Sequence, residues 1–199
     1  MKIEKNWKAF FIALLGFNVL FLLSVMLFIF WPTSEVEPPE KEFIEEEEGA
    51  EFTINSSKEN LTELVNAYID KLLKDDEDKY RVSFEDQVHV TGTIDAFMTE
   101  VPISISLTPI VQENGDIILQ TEDMSLGLLN LPNNKILEYV NNRVDPPEWL
   151  VINPKEENIY IAVTQMEIKS NFKIRAQQID LENNNISFRI KVPNQSLGL

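Results

Sequence analysis

The sequence predicts an α+β domain carried behind an N-terminal transmembrane helix. Three patterns predict it: a 23-residue run without charge at residues 9–31, an amphipathic helical stripe that begins at Leu61, and apolar/polar alternation over residues 101–108 followed by an antiparallel return. In a chain of 199 residues these leave one ordinary globular domain after the apolar segment.

Residues 9–31, AFFIALLGFNVLFLLSVMLFIFW, have only Asn18 and Ser24 as clearly polar members. As a helix rising about 1.5 Å per residue, the run spans a hydrocarbon core of about 30 Å. Lys2, Lys5 and Lys8 precede it against Glu4 alone, whereas the first charges after it are Glu35, Glu37 and Glu40. That asymmetry places residues 1–8 in the cytoplasm and everything after the anchor outside, in the cell membrane's extracellular space. A cleaved signal peptide is the rival reading. It fits less well, because the apolar run exceeds an h-region of roughly 7 to 15 residues and WPTSEVEPPE offers no small-x-small cleavage site.

Residues 32–51, PTSEVEPPEKEFIEEEEGAE, hold nine glutamates against Lys41. Self-repelling and poor in apolar residues, such a segment is expected to be a solvated linker reaching on the order of 25 Å. The extracytoplasmic α+β domain is expected to fill residues 52–199.

Its first helix is announced by Ser56 and Glu59, which fit the S/T-x-x-E capping box. Leu61, Leu64, Val65, Tyr68, Ile69 and Leu72 then recur at helical spacing as one stripe. Strands follow at residues 80–84 and 88–94. In residues 101–110, Val101, Ile103, Ile105 and Leu107 alternate with Pro102, Ser104, Ser106 and Thr108. Asn114-Gly115 signals a two-residue type I′ hairpin, with residues 117–121 returning. Further strands are expected at 124–128, 159–163, 172–179 and 186–192, the last two joined through Asn183-Asn184-Asn185, and a second helix at 133–143 with Pro132 near its start. The fold is therefore an antiparallel, curved β-sheet packed with two helices.

Composition excludes several functions. The chain has no cysteine, hence no disulfide, thiolate nucleophile or Cys-ligated zinc. Residues 52–199 carry 23 acidic against 13 basic side chains, a net charge of −10 within a total of −16, which disfavours nucleic acid and anionic headgroups. Four N-x-S/T triplets, at Asn55, Asn60, Asn185 and Asn194, carry meaning only in a eukaryotic secretory route.

No catalytic set emerges. His89 is the single histidine, in a strand opposite Val88 and Val90, with no neighbouring nucleophile or orienting acid. Residues 75–78, DDED, lack the D-x-D-x-D-G order of a calcium loop. G-x-S-x-G and phosphate-cradling glycine loops are absent. No cofactor, no metal and no enzyme are expected. The aliphatic strand residues have two readings, plain core or an apolar groove open to an acyl chain.

The N-terminal anchor, the start FTINSSKENLTELVNAYI, the hairpin ISLTPIVQENGDIIL and the stretches SLGLLNLPNNKILEYV and DPPEWLVINP resemble the YpmS-like family of membrane-anchored proteins of Gram-positive bacteria. The resemblance covers essentially the whole chain. More loosely, helix followed by long antiparallel strands is similar to TULIP and AsmA-like envelope proteins. That likeness implies a lipid, or a lipid-linked envelope molecule, bound in an apolar groove. The family resemblance also implies an accessory role beside a secreted GDSL-type lipase or esterase.

Two functions follow as expectations. The first is non-enzymatic lipid binding, with Leu61, Leu64, Val65, Tyr68, Val101, Ile103, Ile105, Leu107, Ile117, Leu119, Leu126, Ile161 and Val163 lining the groove. The second is a protein-interaction module that recruits or regulates an envelope hydrolase, with residues 145–149, DPPEW, as the interface anchor.

Overall fold

The structure, a computed structural model, describes residues 7–33, 36–40, 49–72, 80–96, 99–127, 131–142, 146–166, 168 and 172–194. Its order is α1 (Trp7–Phe30), β1 (Gly49–Ser56), α2 (Lys58–Leu72), β2 (Tyr80–Phe84), β3 (Val88–Ala96), β4 (Thr99–Val111), β5 (Ile117–Leu126), α3 (Asn133–Asn141), β6 (Leu150–Asn153), β7 (Asn158–Ile161), a short 3-10 turn (Val163–Gln165), β8 (Lys173–Asp180) and β9 (Asn185–Pro193). Helix α1 belongs to one compact unit, residues 1–33, and everything from 34 to 199 to a second.

Helix α1 has 24 residues, none of them buried. It has the length and composition of a membrane span or of a signal sequence. Asn18, polar in this apolar run, donates its amide to the Leu14 carbonyl at 2.9 Å, so the side chain is satisfied one turn back within the helix.

The second unit is α+β, with every strand pair antiparallel. Among the described residues, nine strands form two sheets: six in the order β2-β3-β4-β5-β7-β6 and three in the order β1-β9-β8. The alternation expected in β4 holds, since Ile103, Ile105 and Leu107 are buried while Pro102 and Ser104 are exposed. These three residues, with Val88, Met124 and Leu126, make one apolar layer. Ile136 and Leu137 of α3, together with Leu181 and Ile186 at the β8–β9 turn, close that layer from the other side. A second, smaller cluster joins Ile117 and Val163 to Ala176 of β8.

Several boundaries differ from the sequence reading, each for a local reason. Residues 117–126 form one strand rather than two; a bulge opposite Ser106/Leu107 lets exposed Glu122 and Asp123 sit in it without ending it. Strand β1 begins at Gly49, ahead of Phe52, and pairs residue for residue with β9 as far as Ser56 opposite Ile186. Because Ser56 is still strand, the helix cap moves to Ser57, whose Oγ accepts the Asn60 N–H at 3.3 Å. Asn184, from the β8–β9 turn, accepts the Lys58 N–H at 2.8 Å and completes the helix start.

The β4–β5 hairpin has a three-residue loop instead of a type I′ turn. Gly115 donates to the Gln112 carbonyl at 2.9 Å, and Gln112 in turn donates to the Asp116 carbonyl at 2.8 Å. Gly115 takes φ +94°, and a Cβ there would lie 2.4 Å from Arg175 Cβ, so only glycine fits. The same residue's carbonyl accepts the Ala176 N–H at 2.8 Å, beside the bulge in β8, and this joins the hairpin tip to the three-stranded sheet. Strand β7 ends at Ile161 rather than 163. Strand β6 was not expected.

Candidate functional site

The thirteen side chains expected to line a groove fall into three groups. Ile103, Ile105, Leu107 and Leu126 are buried at 5% exposure or less in the main core, with Leu61, Val101 and Leu119 packed half-buried at its edge. Ile117 and Val163 form the smaller core with half-buried Ile161. On α2, Val65 is half-buried, while Leu64 is 66% exposed and Tyr68 39% exposed. The strand residues are therefore enclosed by α3 and the β8–β9 turn, and only Leu64 and Tyr68 present a substantial apolar surface.

The α2 stripe is turned from its expected orientation for a physical reason. Strand β2 ends the six-strand order, so its outer N–H and C=O groups need partners. Helix α2 supplies them. Asn66 Oδ1 accepts the Val82 N–H at 2.9 Å while its Nδ2 donates to the Val82 carbonyl at 2.7 Å, imitating a neighbouring strand. One turn earlier, Thr62 Oγ1 accepts the Phe84 N–H at 3.3 Å; one turn later, Asp70 pairs with Arg81 at 2.7 Å. Thr62, Asn66 and Asp70 share one helix face, and seating it on β2 rotates Leu64 and Tyr68 outward.

Tyr68 then meets Trp149, with ring centroids 5.7 Å apart and planes inclined at 51°. Trp149 is held by its backbone: its carbonyl accepts the Ala162 N–H at 2.8 Å, and Leu150 N–H closes a turn onto the Pro147 carbonyl at 2.8 Å. Pro146 and Pro147 are half-buried and Glu148 is exposed; Asp145 lies outside the described residues. On α2 the exposed residues next to Leu64 and Tyr68 are Glu63, Ala67 and, one turn on, Lys71, so an aromatic and aliphatic surface carries a charged rim, with exposed Glu148 beside Trp149.

A buried polar node escaped sequence reasoning altogether. Asp116 has no exposed surface. Its Oδ1 accepts from the Thr164 N–H at 3.0 Å and the Thr164 hydroxyl at 2.9 Å. Its Oδ2 accepts from the Tyr160 hydroxyl at 2.6 Å and from Asn114 Nδ2 at 2.5 Å. Four donors thus satisfy the carboxylate and pull the chain after Ile161 into the 3-10 turn, which is why β7 stops there. Burial, reinforced by the hydrogen bond to Asp116, pushes the Tyr160 hydroxyl up to about 12. A phenol so held stays protonated at neutral pH, and the node acts as a lock between the hairpin tip, β7 and the turn.

Elsewhere the chemistry is sparse. His89 hydrogen-bonds Ser106 Oγ at 3.1 Å across the β3–β4 pair, on the face opposite buried Val88. A shallow concavity of about 540 Å³ is lined by Asp86, Gln87, Thr108, Pro109, Ile179, Asp180, Leu181 and Glu182. Its lining mixes polar and apolar surface, and the Asn183 side chain and N–H hold the Asp180 carboxyl below the usual carboxylate range. Among the described residues no group of three or more acidic or histidine side chains is placed to hold a metal ion. The DDED run lies outside them.

Comparison with known proteins agrees with this architecture. A family described as "Uncharacterized protein conserved in bacteria (DUF2140)" matches residues 5–192. The chain belongs to the DUF2140 family. "Uncharacterized protein YpmS" of Bacillus subtilis (strain 168) is 30% identical over 190 residues, covering 96% of this chain and 99% of the relative. No solved structure matches the chain. The DUF2140 match takes in the apolar helix, the acidic segment, both sheets and the Asp116 node, so helix and domain belong to a single family unit.

Proposed function

We propose that the protein is a membrane-anchored, non-enzymatic docking module, with its α+β domain outside the membrane and Leu64, Tyr68 and Trp149 forming the contact for a protein partner. The observation that carries this reading is the contrast in burial: Ile103, Ile105, Leu107 and Leu126 are sealed inside a packed core, while Leu64 and Tyr68 remain exposed on α2, with half-buried Trp149 packed against Tyr68. Aromatic anchors with a polar rim are what protein interfaces use. The rim residues Glu63 and Glu148 favour a partner surface bearing Lys or Arg and repel anionic headgroups. A secreted GDSL-type envelope hydrolase is the partner class implied by the family resemblance.

Lipid binding in a groove would need Ile103, Ile105, Leu107 and Leu126 open to an acyl chain, and their burial is why docking is preferred. The two readings separate in one experiment. The full chain is reconstituted with lipids that carry a photoactivatable acyl chain, and the labelled peptides are mapped. Labelling confined to residues 7–30 is expected; labelling within β4 or β5 would overturn the docking reading in favour of a groove.

A further inference from the structure

The acidic segment is attached to the domain well before β1. Asn153, at the end of β6, is only 7% exposed, and its Nδ2 donates to the Val36 carbonyl at 3.1 Å while its Oδ1 accepts the Glu156 N–H at 3.2 Å. Gln165, in the 3-10 turn, donates to the Glu40 carbonyl at 2.8 Å. Val36 and Pro39 between them are half-buried, and Glu37, Pro38 and Glu40 are exposed. Pro38 and Pro39 fix φ and lack N–H groups, which keeps the segment extended and leaves its carbonyls as the natural handles for the two amides.

We propose that residues 36–40 are a releasable strap that sets the length of the stalk. With the strap clasped, the covalent chain from Phe30 to Val36 has five intervening residues and spans at most about 20 Å. With the strap released, the chain runs on to Gly49 through eighteen residues and spans at most about 65 Å. Among the described residues, two neutral hydrogen bonds and the partial burial of Val36 and Pro39 hold it. Each bond shifts the clasp equilibrium by on the order of 2- to 10-fold, so release lies within reach of a modest competing interaction. Glutamates at 35, 37, 40 and 42 repel one another, and lowering the salt concentration favours the released form.

The chain contains no cysteine, so two introduced ones are unique labelling sites. Spin labels at Glu37→Cys and Glu156→Cys in the full-length protein in lipid nanodiscs report the strap by pulsed EPR. A single narrow, short distance distribution is expected. Adding Asn153→Asp with Gln165→Ala should broaden it and move it to longer distance, because Asp keeps the acceptor for the Glu156 N–H but removes the donor to Val36. Gln165→Ala alone, which touches only an exposed bond, should give a partial broadening and decides the matter if the double variant does not fold. A broad distribution in the chain without these two changes, or a distribution that stays narrow in the folded variants, would overturn the proposal.

Discussion

Tyr68 and Trp149 pack as a tilted aromatic pair although they come from opposite ends of one sheet. Tyr68 sits on α2, which packs on β2, and Trp149 leads directly into β6, while β2 and β6 are the two terminal strands of the six-strand order. The sheet is curved enough for a helix seated on one end to touch the loop at the other. The aromatic contact therefore closes the domain, and with Leu64 it leaves one of the domain's exposed apolar surfaces, Phe52, Ile54 and Ile110 being exposed as well.

That dual role is measurable. In a double-mutant cycle, Tyr68→Ala and Trp149→Ala are each expected to cost about 1 to 2 kcal/mol in urea denaturation, with a coupling of about 0.5 to 1.5 kcal/mol between them. Zero coupling would show that the rings are neighbours without being an energetic closure.

Asp116 is the residue on which the hairpin tip depends most. Asp116→Ala leaves the Tyr160 hydroxyl, the Asn114 amide and both Thr164 donors buried without their acceptor, and is expected to cost about 3 to 5 kcal/mol. Tyr160→Phe removes one of four donors and should cost only about 1 to 1.5 kcal/mol. Equal costs measured by chemical denaturation would contradict the network as drawn.

Tyr160 also fixes an alkaline limit. Its proton is held to about 12 in the folded chain but leaves near the ordinary 10.0 once unfolded. Between those values the unfolded chain binds fewer protons, so this group's contribution is complete below pH 10 and is lost as pH rises toward 12, by at most about 1.4 kcal/mol per pH unit. Denaturation midpoints followed across that window should fall less steeply in Tyr160→Phe than in the parent chain; identical slopes would count against the buried phenol.

How far these features could be read in advance depended on how local their causes are. Strands β2 to β4 and β9 were legible because alternation of residues such as Ile103, Ser104 and Ile105 is written in the chain itself. Helix α2 was legible too, but its rotation was not, because Thr62 and Asn66 face inward only when the unpaired edge of β2 lies beside them. Strand β6 has four residues, too few for a period to show. The Asp116 node was hidden for the same reason of distance: Tyr160 and Thr164 are 44 and 48 residues away, and nothing in ENGD announces them. In the candidate site, Trp149 beside its prolines stood out in the sequence as a candidate anchor, whereas its packing against Tyr68 became visible only with the fold.

Orientation is tested separately from docking. Protease shaving of intact protoplasts expressing the chain with a tag at each end should remove the C-terminal tag and spare the N-terminal one, as three lysines before an uncharged run require. A protected C-terminal tag would place the domain inside.

The docking claim itself is tested most directly by a photocrosslinking amino acid placed in living cells at Leu64, with an identical substitution at exposed Glu182, on the β8–β9 turn, as the control. The account predicts a discrete protein adduct from position 64 that is absent from position 182, disappears when Trp149→Ala is added to a chain that remains folded and anchored, and weakens as salt is raised. A lipid adduct alone, equal adducts from both positions, or an adduct indifferent to Trp149 would contradict it.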